Sequence, residues 1–239
     1  KATNGDRGGG MLFVGTGSFV FNGDVRDASI QSLYAVLDAS DGAPGETMTA
    51  AELRPYSVSA SGDVRTMTLG TVPANARGWH VDLPAGERFV AYPALASGVV
   101  FMPTYVPNPT TKSCASDGSN RLFGLSAQSG APALSKMRAG SPTGTKYGAG
   151  TAAVPLSTGG NAPVKDVGVQ VLPRQQPPGS ISGGDPGGPG NGGPGSPGGS
   201  TPPPVDPPAE PCQMLVTAAG GVPMYVPYPC GRQSWRQLQ

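Results

Sequence analysis

The apolar residues of this chain come in runs too short, and too regularly broken by glycine, to build helices. That feature confines the chain to an all-β fold. The expected strands are Met11–Gly15, Ser32–Leu37, Thr66–Val72, Gly78–Leu83, Arg88–Leu95, Val99–Val106, Arg121–Ser126 and Val164–Leu172, and no stretch carries a helical apolar period. In Gly78–Leu83 the alternation puts Trp79, Val81 and Leu83 on one face and His80 and Asp82 on the other, as in a half-buried strand. Ser97-Gly98, Asp117-Gly118 and Ser129-Gly130 are the expected turns, because glycine reaches positive φ without steric cost. Thr49–Leu53, about one turn long, is the single helical candidate.

The texture changes at residue 173. Much of the chain's Gly 38 and Pro 28 falls in 173–208, where little apolar surface exists to bury, so this segment is expected to be a disordered, flexible linker. Its glycines do not recur every third residue, which excludes a collagen helix. The remaining pieces are 1–172, expected to be the folded part, and 209–239, a small tail in which Cys212-Gln-Met-Leu-Val and Val222–Tyr228 flank Gly220-Gly221 and form a hairpin. Cys212 and Cys230 lie at the two ends of that hairpin, within disulfide reach if its strands pair; two free thiols are the other reading. A bond there would contribute roughly 3 kcal/mol through the entropy of the unfolded loop. Cys114 is left over, either free or paired outside this sequence. A tail this small cannot hide all its aromatics, so Tyr225, Tyr228 and Trp235 are candidate partner contacts. Tyr34, Trp79, Tyr92, Phe101, Tyr105 and Phe123 lie in strand runs and are expected in the core.

A repeat runs through the folded part. Met11-Leu-Phe-Val-Gly-Thr-Gly17 followed by Leu33–Pro44 matches Val99-Val-Phe-Met-Pro-Thr-Tyr105 followed by Leu122–Pro132, with Phe13 opposite Phe101 and Thr16 opposite Thr104. Each copy reads as strand, loop, strand and tight turn, the unit of propeller blades and stacked sheets. Two copies do not close a ring, so further blades are expected before residue 1.

Chemistry finds few footholds. His80 is the sole histidine, so any histidine-dependent triad or zinc site must use it; no nucleophile elbow is present. Gly15-Thr-Gly17 follows a strand but lacks the third glycine and the helix of a dinucleotide loop, and Gly144-Thr-Lys146 is not a phosphate loop. Asp24 with Asp27, and Asp38 with Asp41, do not have calcium-loop spacing and read as turn residues. Lys+Arg 16 against Asp+Glu 15 leaves no basic surplus for nucleic acid, and no apolar run is long enough for a transmembrane helix.

Phe13-Val-Gly-Thr-Gly17, Gln31–Asp38, Gly78-Trp-His-Val-Asp-Leu-Pro84, Gly86-Glu-Arg88, Pro93 through Phe101, Arg121-Leu-Phe-Gly-Leu125 and the closing Gly231–Leu238 occur in an order that resembles the C-terminal end of the PilC/PilY-type type IV pilus assembly and tip-adhesin family. The resemblance implies the C-terminal part of a quinoprotein-like β-propeller. It also implies an exported, non-enzymatic protein at the pilus tip or outer surface, with minor pilins as partners and adhesion to host or abiotic surfaces as a further role. The family's calcium-binding loop is absent from these residues, so calcium is expected only upstream, and no cofactor is expected in this stretch. The rival readings are a quinoprotein-like oxidoreductase fragment and a structural envelope β-protein.

Overall fold

A computed structural model of the chain describes residues 2–4, 10–38, 47–109, 118–144, 146–156, 162–172, 212–218 and 221–228. Asp41, Cys114, Asp117, the Gly/Pro-rich 173–208, Cys230 and Trp235 therefore lie outside the described residues.

Strand β1 (Ala2–Asn4) pairs with β2 (Gly10–Gly15), which pairs with β3 (Ser32–Asp38). Beyond β3 come β6 (Gly78–Asp82), then β4 (Arg54–Ser61) and β5 (Val64–Leu69). The sheet continues through β12 (Thr151–Leu156), β10 (Gly118–Ser126) and β9 (Val99–Pro107), whose outer edge takes β7 (Arg88–Phe89) and β8 (Ala94–Ala96). All these pairs are antiparallel except β4 with β6. The all-β class holds, and the pairing runs unbroken from β1 to β7.

This sheet curls around one core. Met11, Phe13, Leu33, Trp79 and Val81 from one half meet Phe89, Val100, Met102, Phe123 and Leu125 from the other. The curl brings the far edge back to β2: the Phe89 amide donates to the Thr16 carbonyl at 3.3 Å. That approach explains Gly15-Thr-Gly17. A Cβ on Gly17 would stand 2.8 Å from both Arg88 Cβ and the Phe89 carbonyl oxygen, and one on Gly15 3.0 Å from Phe89 Cβ. The glycines admit a neighbouring strand end; they form a strand-end turn and no nucleotide loop.

A second sheet, in the order β11 (Arg138–Ala139), β15 (Met224–Tyr228), β14 (Cys212–Ala218) and β13 (Val167–Val171), has its own core. Met214, Val216, Met224 and Val226 pack with Phe101, Leu122, Val154, Leu134 and Met137. Strands β9, β10 and β12 are thus buried on both faces, which is why they read as near-continuous apolar runs.

Several expectations are revised. The strand expected over Arg88–Leu95 is two short strands, because the chain leaves the sheet around Val90–Pro93; Tyr92, expected in the core, is 83% exposed. Thr66–Val72 is shifted to Val64–Leu69. Strands β4 and β12 were not legible: Pro55 and the serines mask the first, and Ala152 and Ala153 carry little strand preference until packing supplies it. Thr49–Leu53 is a short 3-10 helix over Ala50–Glu52, capped by the Glu52 carboxylate accepting from the Thr49 amide at 2.8 Å. Gly118 opens a strand instead of a positive-φ turn, whereas Ser97, Gly98 and Gly130 do take positive φ. The repeat holds as hairpin pairing, β2 with β3 and β9 with β10. Its matched phenylalanines nevertheless face different cores, Phe13 the first and Phe101 the second.

Candidate functional site

In β14 and β15 the alternation sends Met214, Val216, Met224 and Val226 into the second core, leaving Gln213, Leu215, Tyr225 and Pro227 on the opposite face. Registers Leu215 with Tyr225 and Gln213 with Pro227 place these side by side. Strand β11 adds itself at the edge, Arg138 opposite Tyr225.

The segment entering and leaving β11 is fixed by backbone bonds and two buried anchors, Leu134 and Met137. The Lys136 amide donates to the Tyr147 carbonyl at 3.1 Å, the Tyr147 amide to the Met137 carbonyl at 2.9 Å, and Arg138 bridges Lys146 across the turn. Arg138 Nη1 donates to the Gly144 carbonyl, and the Gly140 amide reaches the Pro223 carbonyl at 2.8 Å, tying the turn to the hairpin. The result is a cavity of about 180 Å³ lined by Lys136, Arg138, Lys146, Gln213, Tyr225 and Pro227, and among the described residues no carboxylate stands in its wall. Among the described residues these cations form no ion pair; the buried pair is Arg65 with Glu87, at 3.2 Å.

Of the expected contact residues, Tyr225 lines this cavity, Tyr228 is half-buried against the second core, and Trp235 lies outside the described residues. Cys212 begins β14 opposite Tyr228, two positions before Cys230 in sequence. Nothing in the sequence singles out Lys136 or Arg138, and Lys146 stands out only beside Gly144-Thr, which is not a phosphate loop; their convergence depends on the turn and on the distant tail.

The remaining candidates are structural. His80 stacks on Tyr34 at a centroid distance of 6.0 Å, while Asp82 accepts a 2.6 Å hydrogen bond from Ser32 Oγ, so no histidine–acid pair forms. The Asp24 carboxylate accepts from the Phe21 and Val20 amides and from Ser18 Oγ, and these bonds hold it below the usual carboxylate range. Asp27 is lowered likewise by the amide and hydroxyl of Ser29. Both are turn residues, Asp24 engaged through Oδ2 and Asp27 through both carboxylate oxygens. Among the described residues no cluster of three or more His, Cys, Asp or Glu side chains is arranged to hold a metal. No helix among the described residues is long and apolar enough to cross a membrane. A second feature sequence did not mark is the loop around Asp24, which displays Val20 (82% exposed) and Phe21 (73%).

A curled sheet backed by a smaller one defines an all-β, propeller-like domain, and the same fold occurs in the crystal structure of the Pseudomonas aeruginosa PilY1 C-terminal domain. The TM-score is 0.57 at 14% identity, over 96% of this chain and 44% of that one. In sequence the chain is 30% identical over 248 aligned positions to the type IV pilus biogenesis factor PilY1 homolog of Xylella fastidiosa, an alignment covering 98% of this chain and 16% of that protein. In sequence and in fold the chain is similar to PilY1-type type IV pilus proteins. It spans about a sixth of the length of that relative. No protein-family profile matches it.

Proposed function

We propose that the protein carrying this chain is a type IV pilus biogenesis factor that works by binding, without chemistry of its own, and that this region contributes a contact surface for minor pilins at the exported pilus tip. The observation that carries this is the 30% identity to a type IV pilus biogenesis factor along nearly the whole chain. The site supports a binding role: its side chains are cations, an amide, a phenol and prolines, with no nucleophile–base pair. On this reading Tyr225 belongs to the contact face, Trp235 is a further candidate for it, Tyr228 supports it from the core side, and a Cys212–Cys230 disulfide clamps the hairpin in an oxidising compartment. Adhesion to a host or abiotic surface would be exercised by the assembled tip, and any calcium would be held upstream.

The test is to delete the region encoding this chain in its own organism and to purify the intact protein for association with that organism's minor pilins. Loss of surface pili together with stable co-purification is expected. Normal piliation after deletion would sink the proposal.

A further inference from the structure

We infer that the cavity formed by Lys136, Arg138 and Lys146 beside Tyr225 and Gln213 is a carboxylate-binding site that takes an acidic group of a polypeptide partner. The identity of that partner rests on the contact face proposed above; the binding itself is measurable without it.

The charge distribution is the first reason. The chain is nearly balanced, Lys+Arg 16 against Asp+Glu 15, yet a single small cavity gathers three cations and, among the described residues, no acid. Like charges do not cluster for their own stability. Here the clustering is imposed by backbone bonds and by the buried Leu134 and Met137, so the field is built into the fold. Lys136 adds a second reason: it adopts φ 66, a conformation that glycine or asparagine adopts more readily than lysine. Its amide bond to Tyr147 fixes the backbone there and would serve any residue, so the ammonium is the part that needs explaining.

The geometry selects the anion. Arg138 commits Nη1 to the Gly144 carbonyl, which fixes the guanidinium plane and leaves most of its donor fork for a planar acceptor. Gln213 offers an amide and Tyr225 a hydroxyl, while Pro142 and Pro227 are apolar walls suited to the stem beside a carboxylate. At about 180 Å³ the cavity holds a side-chain-sized group and is smaller than the range usual for cofactors and drug-sized ligands. A polyanion is not favoured either, since the chain as a whole has no basic surplus, its net charge being +1.

Saturation-transfer NMR on the full-length protein tests this, because it reads weak ligands on large proteins. The probes are N-acetyl-Ala-Phe with a free carboxylate, its C-terminal amide, and N-acetyl-Glu-Phe-amide, whose sole carboxylate is a side chain. We expect transfer to one or both carboxylate-bearing peptides and none to the neutral amide; whichever carboxylate gives the stronger signal names the source. The double variant Lys136→Asn/Lys146→Gln, with both positions exposed and asparagine tolerant of positive φ, should weaken binding by roughly tenfold or more at unchanged melting temperature. Equal transfer to the neutral amide, binding unchanged in the double variant, or displacement by inorganic phosphate well before acetate would overturn the site. Pilin association without carboxylate binding would sink the site alone. Carboxylate binding without pilin association would leave the site and remove its assigned partner.

Discussion

Gly130 sits at φ 76 beneath Trp79, and a Cβ there would come within 2.7 Å of the indole and 2.8 Å of the Tyr56 ring. The same turn receives the Trp79 indole N–H at the Ala127 carbonyl (3.0 Å) and the Tyr56 hydroxyl at the Ser129 carbonyl (2.9 Å). Gly130→Ala therefore adds overpacking to backbone strain and should cost about 2–4 kcal/mol. Gly62→Ala, at φ 59 but in open space, should cost only about 1 kcal/mol. Chemical denaturation of the two variants checks the difference; equal losses would mean that the contact with Trp79 contributes nothing. At this scale the sequence was partly legible. Ser129-Gly130 announces a turn, and the alternation around Trp79 announces a buried face, but neither says that the two meet. The pocket cations were not legible at all, because Lys136, Arg138 and Lys146 sit in a segment without strand periodicity and acquire a common direction only through the Arg138–Lys146 bridge.

Among the elements, the two-residue strand β7 closes the curled sheet with buried charge. Strand β7 and the residue before it place Glu87 and Arg88, each 1% exposed, at the closing edge of the curled sheet. Glu87 is satisfied by Arg65 at 3.2 Å and by the Thr104 hydroxyl at 2.7 Å. Arg88 is held by backbone carbonyls. Its guanidinium donates to the Ser18 carbonyl at 3.0 Å, the Asp24 carbonyl at 2.7 Å, the Gly86 carbonyl at 3.2 Å and the Asp27 carbonyl. One side chain thus supports the loop that displays Val20 and Phe21. Arg88→Met should cost about 3–5 kcal/mol, since several carbonyls lose their donor at once. Hydrogen exchange would show protection falling around Asp24 more than in β9 and β10; a uniform loss would mean that Arg88 acts on the sheet and not on the loop. The motif Gly86-Glu-Arg88 is visible in the sequence as part of the family resemblance, with Arg88 read as opening a continuous strand to Leu95. That the strand breaks around Val90–Pro93 is set by the edge it docks on, which no local pattern encodes.

For the whole molecule, the question is whether the tail is an appendage. The composition shift at 173–208 suggests a linker between a body and a separate hairpin, yet the Leu172 amide donates to the Gln213 carbonyl at 2.9 Å and β13 pairs with β14 along its whole length. The chain leaves and returns at adjacent points of one sheet. Closing a loop of the length of 173–211 costs roughly 3 kcal/mol in entropy. Burying Met214, Val216, Met224 and Val226 contributes about 1.5–3 kcal/mol for each side chain and so opposes that closure cost. The docked hairpin in turn covers Phe101, Leu122 and Val154, the outer face of β9, β10 and β12. A protein truncated after Leu172 should therefore expose that apolar face, bind a hydrophobic dye strongly, and melt at a lower temperature or aggregate. An independent appendage would leave both dye binding and melting unchanged. The same truncation removes Gln213, Tyr225 and Pro227 from the cationic cavity, so the wall of the candidate site and the cover of the second core are opposite faces of one hairpin. A substitution on its inner face, such as Val226→Ala, is thereby expected to loosen the cavity without touching any cation that lines it.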